Sequence, residues 1–219
     1  MLLVAKGLLK IKSFNIGLYL GSFDPVHNAH INIPLGIINE YELDRIVYVP
    51  TGRSPIGKKI IASAIDRIEM LKNATKNFDS LVVDDFECRT SNISYTIDTI
   101  KYFEKTYPKA NLRLVIGEDN FNSFPKWHRY EEILNMANII ILSRDNTNNY
   151  DKINNIKNII EENIDLFNNT KSKRVHFSVN HKSRLSSTMI RSMVNSNKPI
   201  DDYVSHENNE YIREKGLYK

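Results

Sequence analysis

Two histidines three residues apart, His27 and His30, close the string GSFDPVHNAH. Two imidazoles at one turn can donate N–H bonds to phosphate oxygens and stabilise the charge that grows during phosphoryl or nucleotidyl transfer. A second string far along the chain, LSSTMIR from Leu185 to Arg191, carries a complementary set of groups. Ser186 or Ser187 can cap a helix there, with Thr188 and the first backbone N–H groups pointing outward. Arg191 lies one turn on, on the same side as Ser187 and Thr188. Hydroxyls, free amides and a forked guanidinium together hold a di- or triphosphate. Each string alone also has a plainer reading: a core histidine beside a surface one, and a capped helix with a solvated arginine. Two anion sites in one chain favour nucleotide chemistry. With neither a Walker A loop nor a GxGxxG string present, kinase, GTPase and dehydrogenase readings lose their usual support.

The elements that must position the histidines read as strand, turn and helix. Ile16, Leu18 and Leu20 alternate with Gly17 and Tyr19, as in a strand of a covered sheet. Gly21 reads as the sharp turn, Asp24 as a helix N-cap and Pro25 as the first helical residue. That register sets His27 in the first helical turn and His30 on the same face, near the positive end of the helix dipole.

Further along, Asp44 to Pro50 is a second strand, followed by the cationic loop TGRSPIGKK. Ala62 to Asn77 has helical spacing through Ile65, Ile68, Met70 and Leu71, with Arg67 and Glu69 outward. LVVDDFE is a third strand, and Ser94 to Tyr107 a helix carrying Ile97, Ile100 and Phe103 and ended by Pro108. Leu112 to Gly117 and Asn138 to Ser143 are the fourth and fifth strands. From Asp145 to Lys173 the texture turns Asn-rich; Ile153, Ile156, Ile159 and Ile160 suit one amphipathic helix in an insertion or linker. Val175, Phe177 and Val179 alternate as a last strand, and Asp201 to Lys219 is a final amphipathic helix ending at Gly216. Alternating strands and helices predict an α/β fold with a doubly wound parallel sheet, whose ligands bind beyond the carboxyl ends of the strands. The chain reads as one domain over 1–219, with an N-terminal extension (1–14), the Asn-rich insertion (145–173) and a small C-terminal helical portion (185–219).

The chain has 219 residues, 30 Lys and Arg against 26 Asp and Glu, and a formal charge of +4. The isoelectric point is about 9.0. An excess this small, not gathered into one block, suits anionic nucleotides as well as nucleic acid. A single cysteine, Cys88, permits no internal disulfide and is compatible with a reducing cytosol. No apolar run is long enough to span a bilayer, and MLLVAKGLLKIKSF lacks the long apolar core and cleavage site of a signal peptide.

GSFDPVHNAH resembles the GxFDPxHxGH signature of the nucleotidyltransferase superfamily that includes nicotinate-nucleotide adenylyltransferase, phosphopantetheine adenylyltransferase and glycerol-3-phosphate cytidylyltransferase. LSSTMIR resembles the ISSTxIR motif of the same superfamily. Leu20 stands where these enzymes often have a second glycine, and Ala29 replaces the glycine between the histidines; a small, helix-favouring residue there is expected to alter the fit only slightly. The resemblance implies a Rossmann-like nucleotidyltransferase fold. It implies ATP contacts for Gly21, Ser22, Phe23, His27, His30, Gly117, Asp119, Ser187, Thr188 and Arg191, with His27, His30 and Arg191 catalytic.

Three further stretches resemble the nicotinate-nucleotide adenylyltransferases. ISYTIDTI, Ile93 to Ile100, matches their SYTIDT string at a helix start; by resemblance, backbone N–H groups near Tyr95 and Thr96 receive the nicotinate carboxylate. IGEDNFNSFPKWHRYEEIL matches an IGxDxxxxxxxW pattern, with Gly117 and Asp119 at the nucleotide and Trp127 stacked on the pyridine ring. VPTGRSPIGKK stands where the family writes PPHK around the mononucleotide phosphate; the histidine is missing, and Lys58 or Lys59 takes its place unless both are solvated loop charges. What this implies is a soluble, cytoplasmic enzyme joining ATP and nicotinate mononucleotide, with Mg²⁺ carried by the ATP phosphates and no dedicated metal site in the protein. No nucleic-acid or membrane partner is expected, and a homo-oligomer is left open. The rival readings are a sister transferase using nicotinamide mononucleotide, phosphopantetheine or another acceptor, and a non-catalytic nucleotide- or RNA-binding module.

Overall fold

The computed structural model describes residues 14–55, 57, 59–143, 154–178 and 183–219. The expectations for residues 1–13, Lys58, Ile153 and Val179 therefore lie outside the described residues, as does most of the first part of the Asn-rich insertion. Six strands form the sheet: β1 (Phe14–Gly21), β2 (Arg45–Pro50), β3 (Leu81–Val83), β4 (Ala110–Gly117), β5 (Asn138–Leu142) and β6 (Val175–Ser178). Among the described residues eight α-helices accompany them: α1 (Ala29–Glu40), α2 (Ala64–Thr75), α3 (Thr96–Thr106), α4 (Glu118–Phe121), α5 (Tyr130–Met136), α6 (Ile164–Asn168), α7 (Ser187–Asn195) and α8 (His206–Glu214). All the pairings are parallel, in the order β3-β2-β1-β4-β5-β6.

The order explains where a site can form. The chain winds outward from β1 to β3, then returns to lay β4 against the free side of β1 and winds the other way. Loops leaving the carboxyl ends of β1 and β4 consequently diverge and open a crevice. Both sheet faces are covered, which is why the strands read as near-continuous apolar runs. Ile16, Leu18, Leu114 and Ile139 pack with Ile100 and Phe103 on one face. Ile46, Tyr48, Val115 and Ile140 pack with Ile37, Met70 and Phe167 on the other.

Several expectations need correction. LVVDDFE forms a strand only over Leu81–Val83, then a 3₁₀ turn over Phe86–Cys88. In the described part of the isoleucine stretch, Asn154–Ile159 is a 3₁₀ turn rather than an α-helix, and Ile160 bridges to Val175. Nor is the rest of this segment a linker. The α6 helix that follows places Phe167 in the core at 0 % exposure, over the guanidinium of Arg113. Within α2 the apolar spacing misplaces two residues: Ile65 is 77 % exposed and Arg67 only 2 %. The reason is polar, because Arg67 has two backbone carbonyls to satisfy inside the fold. Glu69 is partly exposed. The final helix is shorter than its amphipathic stretch, starting at the Ser205 cap and stopping two residues before Gly216, which has φ +61°.

Candidate active site

The loop after β1 does not start a helix at Asp24, as the sequence suggests. The first helical residue is Ala29, with Asn28 at the N-cap position. Asp24 is spent elsewhere: its carboxylate accepts the N–H groups of Ile61 (2.7 Å) and Ala62 (3.0 Å) and the hydroxyl of Tyr218 (2.8 Å). Burial, and then the Asp24 carboxylate, push the Tyr218 hydroxyl far up, so it stays a donor. Gly21 ends β1 in ordinary extended backbone; a Cβ there would meet the ring of Phe23 at 3.0 Å. The left-handed residue of this turn is Phe23, at φ 50°.

His27 therefore lies in the loop and His30 in the first turn of α1, yet the two rings meet. They stack with centroids 3.6 Å apart and planes 16° from parallel. The His27 N–H donates to His30 Nδ1 at 3.1 Å, so the neutral His30 ring carries its proton on Nε2. Behind His30, Phe23 packs edge-on at 5.2 Å, and the Tyr48 hydroxyl donates to the His30 carbonyl at 2.7 Å. These contacts lock the ring's rotamer and the start of the helix.

The α7 turn is built by its own cap and then fastened to this loop. Ser186, not Ser187, is the cap, its hydroxyl accepting from the Met189 N–H at 3.2 Å. The Ser187 hydroxyl donates to the Pro25 carbonyl at 2.8 Å. Arg191 donates from Nη1 to the Asp24 carbonyl at 2.6 Å and from Nη2 to Thr188 Oγ1 at 3.1 Å. Asn28 adds its N–H to the Tyr203 carbonyl at 2.8 Å. The histidine-bearing and arginine-bearing turns thus form one wall.

That wall borders a cleft of about 730 Å³ at the carboxyl ends of the strands. Gly21, Ser22, Phe23, His27, His30, Gly117, Asp119, Ser187, Thr188 and Arg191 all line it, as do Lys59, Tyr95, Thr96 and Trp127. A Cβ on Gly117 would meet nothing within 4 Å, so the backbone there faces open space. Thr96 begins α3, whose N-cap Tyr95 makes no side-chain capping bond. The Tyr95 ring instead packs on His128 at 4.5 Å. Trp127 is half-buried on Phe124 and donates from Nε1 to Ser123 Oγ at 3.3 Å.

Sequence reasoning missed other lining residues, among them Glu87, Ser94, Lys126 and His128. Ser94, Lys126 and His128 adjoin residues already singled out. Glu87 has no such flag, and burial raises its carboxyl even though Thr99 Oγ1 donates to it at 2.6 Å. Cys88 matches the plain reading: half-buried, its Sγ donates to the Pro50 carbonyl at 3.2 Å, and burial pushes the thiol up.

A parallel sheet whose switch-point cleft is walled by two stacked histidines, an arginine and the start of a capped helix is the arrangement of a nucleotide-binding protein of the nucleotidyltransferase class. The sequence matches the cytidylyltransferase-like family over residues 18–193. It is 31 % identical over 210 residues to a probable nicotinate-nucleotide adenylyltransferase of Methylacidiphilum infernorum, covering 95 % of this chain and 94 % of that one. A protein of the same description from Caldicellulosiruptor saccharolyticus is 33 % identical, covering 93 % and 98 %. Among solved structures, the Plasmodium falciparum nicotinic acid mononucleotide adenylyltransferase complexed with NaAD superposes with a TM-score of 0.71 at 19 % identity, covering 94 % of this chain and 97 % of that chain. This chain belongs to the cytidylyltransferase-like family, in its nicotinate-nucleotide adenylyltransferase branch.

Proposed function

We propose that this protein transfers the adenylyl group of ATP to nicotinate mononucleotide, forming deamido-NAD and pyrophosphate. A phosphate oxygen of the mononucleotide attacks the α-phosphorus of ATP in line; the bond from that phosphorus to the bridging oxygen breaks, and pyrophosphate leaves. No protein nucleophile is required, because positioning and charge stabilisation lower the barrier. The observation that carries the reading is the fastening of the two anion-binding turns to each other, through Arg191 to the Asp24 carbonyl and Ser187 to that of Pro25. In this reading His27 and His30 meet the ATP phosphates and the developing charge. Arg191, Thr188 and the backbone N–H at Ser187 hold the leaving pyrophosphate; the Ser187 hydroxyl proton is already committed.

The acceptor lies on the other side of the cleft. The N-terminus of the eleven-residue helix α3 favours a carboxylate over a neutral amide, and Trp127 offers a ring face beside it. Lys59, which lines the cleft, meets the mononucleotide phosphate in this reading. A divalent cation would come to this site as cargo of the triphosphate. Mg²⁺ bound to phosphate oxygens and water would neutralise charge on the triphosphate. One domain carries both half-sites, and a chain with one cysteine and nucleotide substrates suits the reducing cytosol. The test is pyrophosphate release from ATP with nicotinate and with nicotinamide mononucleotide. Faster release with the nicotinate form is expected; equal rates would remove the acceptor assignment, and no release with any acceptor would remove the transfer.

A further inference from the structure

We infer that Arg67 is a positioning residue for adenylyl transfer: from beneath the cleft it sets the spacing between the loop that receives the phosphates and the loop that leads to the acceptor. The assignment of loops to substrates rests on the reading above.

Arg67 comes from α2, contributes nothing to the cleft lining, and is 2 % exposed. Its Nη1 donates to the Ser22 carbonyl and its Nη2 to the Thr51 carbonyl, each at 2.8 Å. Ser22 and Thr51 are the first residues beyond β1 and β2, whose ends pair at Gly21 and Pro50. One planar guanidinium thus holds the two loops at a fixed separation, which a fork of rigid donors does and a single ammonium cannot.

The strut continues toward α3. Gly52 comes so close to the Glu87 backbone that any Cβ would collide with the Glu87 carbonyl. The Glu87 carboxylate, 6 % exposed, accepts from Thr99 Oγ1 of α3 at 2.6 Å. The Ser94 N–H returns to the Arg53 carbonyl at 2.9 Å. A connected path therefore runs from Ser22, which opens the histidine loop, through Arg67, Thr51, Gly52 and Glu87 to the N-terminus of α3. In-line attack depends on the distance between two substrates held at the two ends of that path, and a misplacement of about 1 Å costs on the order of a hundredfold in rate.

The test compares Arg67→Lys and Arg67→Met with the wild type. Turnover is measured by pyrophosphate release; binding of ATP alone and of nicotinate mononucleotide alone is measured by titration calorimetry. The expected result is a turnover loss of about tenfold for Arg67→Lys and about a hundredfold for Arg67→Met. Each single-substrate affinity and the binding stoichiometry should stay close to wild type, since each half-site keeps its own contacts. Loss of activity matched by loss of stoichiometry, or by loss of affinity for one substrate alone, would make Arg67 merely structural and overturn the inference. Unchanged turnover in both variants would overturn it as well. Should Arg67→Met fail to fold, Arg67→Lys decides by the same readout. If the wild type prefers another acceptor, the acceptor assignment falls, and the same comparison made with that acceptor decides the role of Arg67.

Discussion

The Arg191 guanidinium donates to the main-chain carbonyl of Asp24 at 2.6 Å, joining residues 167 positions apart in sequence. The bond orients a cation with a neutral acceptor, so the arginine keeps its full charge for an anionic ligand. Arg191→Lys would keep the charge and lose the fork. We expect a fall in turnover of about 10²-fold or more with little change in melting temperature, read from pyrophosphate release and a thermal melt. Wild-type turnover in that variant would remove Arg191 from the reaction.

His30→Ala should lower turnover by about 10²- to 10³-fold, the usual effect of deleting one donor aimed at developing charge. The fold should persist, since His30 is only partly buried and its backbone carbonyl still accepts from Tyr48. Circular dichroism checks the fold and a coupled pyrophosphate assay the rate. Full activity would exclude the imidazole from the chemistry.

Thr96→Pro isolates a single backbone N–H. Proline is tolerated as the first residue of a helix, and Tyr95 already has the extended backbone, φ −106° and ψ 134°, that must precede it. A hydrogen bond to a charged group contributes about 1.5–3 kcal/mol, so the preference for nicotinate over nicotinamide mononucleotide should fall about tenfold or more. Thr96→Ala, which retains the N–H, should keep that preference. Equal ratios of kcat/KM in the two variants would move carboxylate recognition away from α3.

Acid should destabilise the protein through His176. Burial lowers its pKa below the ordinary value of about 6.5, against the opposing pull of Glu40, and Tyr41 Oη lies 2.7 Å from its Nδ1. Below pH of about 6.5 the unfolded chain takes up a proton that the folded chain refuses, so stability falls as pH falls. Melting temperatures between pH 7 and 5 should decline less steeply in His176→Phe than in wild type; parallel curves would count against this origin.

Phe167→Ala tests whether the Asn-rich segment belongs to the core. The loss expected is about 3–5 kcal/mol by urea unfolding, as for a fully buried aromatic. A loss below about 0.5 kcal/mol, typical of surface positions, would restore the linker reading.

What the chain declares locally is chemistry and period. The strings GSFDPVHNAH, LSSTMIR and SYTIDT name donors by residue type, and the alternation of apolar runs with helical spacing names the layered sheet. These are properties of neighbours in sequence, so they can be read without coordinates. Ile97, Ile100 and Phe103 are buried as their spacing indicates.

The tertiary structure decided whatever depends on a distant partner. Asp24 looks like a helix cap until Ile61, Ala62 and Tyr218 claim its carboxylate. Arg67 looks solvated until the carbonyls of Ser22 and Thr51 supply a buried place for its charge. Phe167 looks like part of a spacer until Arg113 and the sheet cover it. Spacing along a chain can say which groups share a face. Only the pairing of β1 with β4 and the packing around it say which faces meet, because a hydrogen bond or a packed ring is settled by a neighbour anywhere from 16 to 194 residues away.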